Sequence, residues 1–211
     1  ETCRRVLRFE SEDPQASRLL VASLFAAGRF NDTRQALERH LQANPHDEAA
    51  KLVRAAIFCE TDDLPSALDA LKAIDPEKLP TADRALWYNN YAFTLAGLST
   101  DLDQAREYGE KALDLASQAD RQFALRTLGV VHLERREPDI AVDRLESALK
   151  ERQHLRPGDV EFTRYYLAKA YLSLQQEKKA REQLGLIAGG RTMYAEKAKQ
   201  SLAELNNPAA A

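Results

Sequence analysis

Residues Leu125–Ala148 read LRTLGVVHLERREPDIAVDRLESA. Leu125, Leu128, Gly129 and His132 recur at helical spacing, Pro138 interrupts them, and Ala141, Leu145 and Ala148 resume the spacing. An apolar and small-residue pattern that is broken by a turn and taken up again encodes a helix, a tight corner and a second, antiparallel helix. Nothing in the stretch reads as a catalytic motif.

The same unit returns on both sides of it. Upstream, Trp87, Tyr88, Tyr91, Ala92 and Leu95 lead to a turn near Gly97, and Leu102, Ala105, Tyr108, Ala112 and Leu115 lead back. Downstream, Leu167, Ala168 and Tyr171 are answered by Ala180, Leu184 and Ile187, after a longer connection through Pro157 and Gly158. A further hairpin uses Leu52, Ala55, Ala56 and Phe58, then Ala67, Leu71 and Ile74, with Asp63 as helix cap and Pro65 in the first turn. The earliest unit runs through Leu20, Leu24 and Ala27, a corner at Gly28, and Leu37 and Leu41, with Asn31 or Asp32 expected to cap its second helix. Superposed, the units place Ala55, Ala92, Gly129 and Ala168 at one small-residue position and Ala67, Ala105, Ala141 and Ala180 at another. The first two units are 34 residues apart. Small residues recurring in step mark repeats.

These residues resemble the tetratricopeptide repeat family, whose unit carries a leucine-like residue followed by a small one, an aromatic, an alanine, a bulky residue and a second alanine. The resemblance covers roughly Pro14 to Ile187. It departs at Gly109, where a bulky residue is usual, at Arg54, and at Val21 and Thr33, where small residues are expected. It implies an all-α fold, a right-handed superhelical solenoid of antiparallel helix hairpins. The expected layout is an N-terminal helical extension over 1–13, five repeats over 14–190, a C-terminal capping helix over 191–206 and a frayed tail over 207–211. Tyr194, Ala198, Leu202 and Leu205 give that last helix an apolar face, as the end of a solenoid requires.

Composition agrees with such a chain. With 211 residues, 44% hydrophobic and 30% charged, it can bury a large core. A net charge of -3 supports neither a nucleic-acid nor an anionic-membrane surface. Cys3 and Cys59 form no CxxC pair, so neither a disulfide framework nor a zinc site is expected. No apolar run is long enough to span a bilayer. The start at Glu1, without methionine, reads as a processed or excised product; the compartment stays open, with the cytoplasm favoured over a periplasmic or membrane-tethered site.

Candidate chemistry reduces to packing or capping. The four histidines share no metal-binding spacing, Gly189-Gly190-Arg191 lacks the continuation of a phosphate loop, and Asp62-Asp63 lacks the alternating ligands of a calcium loop. No catalytic residue, metal or cofactor is assigned. In the family the first helices line a concave groove, and the helical register places Asn89, Phe93, Phe123, Arg126, Val130, Phe162, Tyr165 and Lys169 there. Aromatic side chains facing water in a groove point to a covered surface. The chain therefore reads as a non-catalytic interaction scaffold whose partner is a protein or peptide segment with apolar anchors and an acidic group paired by Arg126 and Lys169. Alternatives are a recruitment or assembly domain of a larger enzyme or membrane-associated complex, and self-association.

Overall fold

The computed structural model describes residues 13–151 and 157–207. The expected extension, apart from Asp13, and most of the expected tail lie outside these residues. Eleven α-helices and one 3-10 turn, Pro76–Lys78, make up the described residues: α1 Pro14–Ala26, α2 Phe30–Ala43, α3 Glu48–Glu60, α4 Leu64–Lys72, α5 Thr81–Gly97, α6 Leu102–Leu115, α7 Arg121–Glu134, α8 Pro138–Lys150, α9 Pro157–Ser173, α10 Glu177–Ile187 and α11 Met193–Asn206. They pair as five hairpins, α1 with α2 through α9 with α10. Each second helix also packs on the following first helix, and α3, α5, α7, α9 and α11 stack on one another as an inner layer.

Helix starts follow short-range chemistry. Asp13, Asp47, Asp63, Asp101 and Thr192 each accept backbone N–H bonds in the first turns of α1, α3, α4, α6 and α11. The cap expected from Asn31 or Asp32 is not made. Helix α2 begins two to three residues earlier, with Arg29 at the N-cap, and Asp32 lies inside the first turn, accepting from Arg29 Nε.

All five corners are built alike. Gly28, Asp62, Ser99, Arg136 and Gln175 have positive φ, and the residue after each donates its N–H to the carbonyl five positions back: Arg29 to Leu24, Asp63 to Phe58, Thr100 to Leu95, Glu137 to His132 and Gln176 to Tyr171. This closure satisfies carbonyls that the end of the first helix leaves open. Only one of the five carries the glycine that usually signals it. The extra residue of the third corner is Asp101, itself at φ 44, which caps α6. His132, in the place of an aromatic, is buried with Nδ1 2.6 Å from Glu137 Oε2, across the fourth corner. That bond, followed by the one from Arg135, holds the Glu137 carboxyl below the usual carboxylate range.

The repeated small positions are contact points. Ala55, Ala92, Ala168, Ala67, Ala105, Ala141 and Ala180 are completely buried. Gly109 departs from the repeat pattern because the side chain of Leu128 fills its space: a Cβ there would sit 2.6 Å from Leu128 Cδ2. Trp87 anchors α5 by donating from Nε1 to the Leu71 carbonyl at 3.1 Å, in a core that includes Leu52, Tyr91, Leu95 and Val131.

A polar link joins the first two hairpins. His40, in α2, is buried with Nε2 2.8 Å from Asp47 Oδ2 and Nδ1 3.1 Å from Ser17 Oγ, while Asp47 also accepts from Arg18 and caps α3. Burial pushes the Asp47 carboxyl up, but the bonds from His40, the Ala50 N–H and Arg18 outweigh it and leave the pKa lowered. A depressed carboxylate pKa stabilises the fold fully above the ordinary aspartate value of about 3.9 and loses that contribution as pH falls through the folded value. Asp47→Asn should therefore cost roughly 1–2 kcal/mol at neutral pH. In paired thermal melts the deficit should shrink below about pH 4; a deficit independent of pH would count against the link.

Candidate partner-binding groove

The inner layer holds a cavity of about 380 Å³, bounded by Cys59, Glu60 and Asp62 at the end of α3, Asn89, Asn90 and Phe93 on α5, Arg126 and Thr127 on α7, Gly158, Asp159 and Phe162 on α9, and Thr192, Met193 and Tyr194 entering α11. Of the eight residues assigned to the groove, Asn89, Phe93, Arg126 and Phe162 meet in this wall.

The other four are placed differently. Val130 is 1% exposed and belongs to the core, so its assignment to an open face is corrected: stacking of α5 and α9 against α7 covers it. Phe123 is half-buried with its ring 4.9 Å from the Arg126 guanidinium carbon. Tyr165 turns to α11, with ring centroids 5.8 Å from Tyr194 and a hydrogen bond to Ser201, so the end helix covers it in part. Lys169 is exposed, its ammonium 5.3 Å from the Tyr166 ring centroid and 3.9 Å from Glu134 Oε1.

The aromatic residues fill part of the groove themselves. Phe162 lies 5.8 Å from Phe93, 4.7 Å from Tyr166 and 5.0 Å from Tyr194, all in tilted or edge-on geometry. Arg126 sits between the rings of Phe123 and Phe162, each 4.9 Å away, and donates to Asp159 Oδ1 at 2.6 Å. Asp159 stands in the first turn of α9, where the helix N-terminus favours a carboxylate. Arg126 is thus already paired, which corrects its expected role as the cation awaiting an acidic ligand.

Two polar atoms in the wall have no partner. Asn89 donates from Nδ2 to Asn90 Oδ1 at 3.5 Å, leaving Asn89 Oδ1 and Asn90 Nδ2 buried without a hydrogen bond. Rotating both amides exchanges the roles and still leaves one donor and one acceptor. Thr94 donates to the Asn90 carbonyl at 2.7 Å and fixes the α5 backbone behind the pair. Burial pushes the Cys59 thiol up to about 11, against a smaller lowering by Thr94, so the sulfur stays protonated and unreactive near neutral pH. Asn90, Asp62, Asp159 and Tyr194 were not among the groove residues assigned from sequence. The helical register could have found Asn90 and Asp159, whereas Asp62 and Tyr194 arrive from a corner and from the end helix.

Ser17, His40 and Asp47 have the residue types of a hydrolase relay but use the ring edges in reverse, Nδ1 toward serine and Nε2 toward carboxylate. Among the described residues no group of three His, Cys, Asp or Glu could hold a metal ion, and no helix is long and apolar enough to cross a membrane.

Residues 24–86 match the family model described as tetratricopeptide repeat. That stretch, from within α1 to the start of α5, carries the tetratricopeptide repeat. No curated protein matches it at a significant level. Among solved structures, the tetratricopeptide repeat protein TTC0263 of Thermus thermophilus is similar over 90% of this chain and 100% of its own, at 20% identity and a TM-score of 0.68. A chain of the APC/C hetero-tetramer Cut9–Hcn1 aligns with 87% of this chain at 17% identity and a TM-score of 0.68; this chain spans only 34% of that one. YrrB, described as a tetratricopeptide repeat protein with an unusual peptide-binding site, aligns with 95% of this chain and 98% of its own, at 16% identity and a TM-score of 0.55. The tetratricopeptide repeats form a right-handed superhelical solenoid, a fold of protein-interaction scaffolds that are generally non-catalytic and bind protein or peptide partners.

Proposed function

We propose that this chain is a non-catalytic scaffold that holds an extended segment of a partner protein along its inner layer, anchored at the cavity between α3, α5, α7, α9 and α11. The Asn89–Asn90 pair carries the proposal. Its unpaired acceptor and donor are the complement of one peptide group, and a buried polar atom without a partner costs roughly 1–3 kcal/mol, which an incoming amide relieves. Phe93 and Phe162 beside the pair offer apolar contact to the segment's side chains. The peptide-binding site named for YrrB lends support at the level of the fold.

Selection of linear peptides from a random library on the immobilised chain tests this. Recovered peptides should bind in roughly the micromolar range. Asn89→Ala should weaken them about tenfold with little change in melting, Phe93→Ala should weaken them similarly but also lower the melting temperature because its ring packs on Phe162, and Lys111→Ala, on the outer helix α6, should leave binding unchanged. Peptides that bind all variants equally would place the site elsewhere. The Cut9–Hcn1 chain works within a hetero-tetramer, and that favours, as a second reading, a recruitment or assembly module of a larger complex using the same groove.

A further inference from the structure

We infer that the cavity takes a primary carboxamide, the side chain of a glutamine or asparagine, from the segment held in the groove. This rests on the groove reading above and adds to it that the amide meeting the Asn89–Asn90 pair belongs to a side chain and not to the segment's backbone. The charged groups of the lining are already engaged: Arg126 pairs with Asp159, and both Asp159 and Glu60 have other interactions. Among the described residues, the buried side-chain atoms bordering the cavity that lack a hydrogen bond are Asn89 Oδ1 and Asn90 Nδ2. One accepts and the other donates. A carboxylate has only acceptors and leaves Asn89 Oδ1 unmet, while an ammonium has only donors and leaves Asn90 Nδ2 unmet; either would also give up its hydration beside the Phe93 and Phe162 rings. A carboxamide is neutral and brings both functions. Turning both asparagine amides over still leaves one donor and one acceptor, so this complement does not depend on how they are assigned.

Depth favours a side chain over backbone. Asn90, Thr127, Asp159 and Phe162 are buried, whereas Glu60, Asp62 and Met193 are exposed, so the polar pair lies below the rim. A backbone group belongs to a chain that continues on both sides, and its N–H and C=O point in opposed directions. A carboxamide ends an arm of one or two methylenes and carries one N–H beside its oxygen and one opposed to it, so it meets a donor and an acceptor in either arrangement. At about 380 Å³ the cavity stands at the small end of ligand pockets and, like them, sets a few polar atoms among apolar rings.

The test uses fluorescent peptide pools of about eight residues, blocked at both ends, drawn from Leu, Phe, Ala and Gly with the central residue fixed as Gln, Asn, Met, Glu or Lys. The better of the Gln and Asn pools should bind roughly tenfold more tightly than the Met, Glu and Lys pools, methionine being close to glutamine in length but without its donors. Asn89→Ala should bring the carboxamide and Met pools level, through weaker binding of the former. Asn90→Asp keeps the shape but makes both free atoms acceptors and adds a charge, so it should erase the preference for carboxamide over lysine. Equal binding of all pools, still weakened by Asn89→Ala, would mean that a backbone group holds the pair; it would overturn the side-chain assignment and leave the groove standing. Tightest binding of the Glu, Lys or Met pool would overturn it as well, as would a carboxamide preference that survives both substitutions. If no pool binds, the groove reading falls and the carboxamide assignment with it.

Discussion

Gly129→Leu is expected to remove about 3 kcal/mol of stability. Gly129 lies on α7 where the α8 side chain of Leu145 crosses it: a Cβ at this position would stand 2.7 Å from Leu145 Cδ2 and closer still to Cγ. Leu145 is completely buried in the cluster of Leu167, Ala168 and Leu184, so it has no open space to retreat into. Gly129→Ala places a Cβ against the same Leu145 but no side chain beyond it, so it should also destabilise, by less than Gly129→Leu, its helix-propensity gain of about 1 kcal/mol offsetting part of the displacement of Leu145. The double variant Gly129→Leu, Leu145→Ala should recover part of the loss, because the truncation opens the space that the new side chain needs. Urea unfolding gives the sizes, and hydrogen exchange should confine the weakening to α7 and α8 with the hairpins beside them. A loss under about 1 kcal/mol, or no recovery in the double variant, would mean that Leu145 is not the obstacle.

The second large effect is expected at Arg126. Its guanidinium is held between the Phe123 and Phe162 rings and pairs with Asp159 at 2.6 Å, with side chains only 16% and 6% exposed. Breaking a buried pair from one side leaves a carboxylate in a poor environment, so Arg126→Ala should cost about 3 kcal/mol and lower the melting temperature by roughly 10 °C. Removing both charges with Arg126→Met, Asp159→Asn should cost less than Arg126→Ala alone. Arg126→Lys keeps the charge but not the planar stacking, and should fall between. Additive single and double variants would show that the two side chains act independently. Because Arg126 holds α7 to α9 as well as lining the cavity, binding tests are better read from Asn89 and Asn90.

The hairpins could be read from residue spacing because their determinants are short in range. Asp47, Asp63 and Thr192 cap helices through N–H groups two or three residues away, and the small positions recur with the repeat. The uniform corners were less legible, since four of the five left-handed residues are not glycine and only the backbone bonds around them reveal the shared closure. Gly109 looked like a departure from the repeat until Leu128 was seen to fill its place. Register alone placed Asn89, Phe93, Arg126 and Phe162 on one wall but could not separate them from Val130, because a helical face says nothing about how closely the next helix approaches.

What the sequence determined by itself was the repeat: eleven helices' worth of apolar periodicity, the small residues that let them touch, and the absence of a recognisable reactive motif. The tertiary structure decided the site. Stacking the hairpins carries the corner at Asp62 and the α11 residue Tyr194 to a cavity shared with α5, α7 and α9, and sets Arg126 against Asp159, 33 positions away. Those meetings depend on the angle between successive hairpins, which is summed over many side-chain contacts and is written in no local pattern.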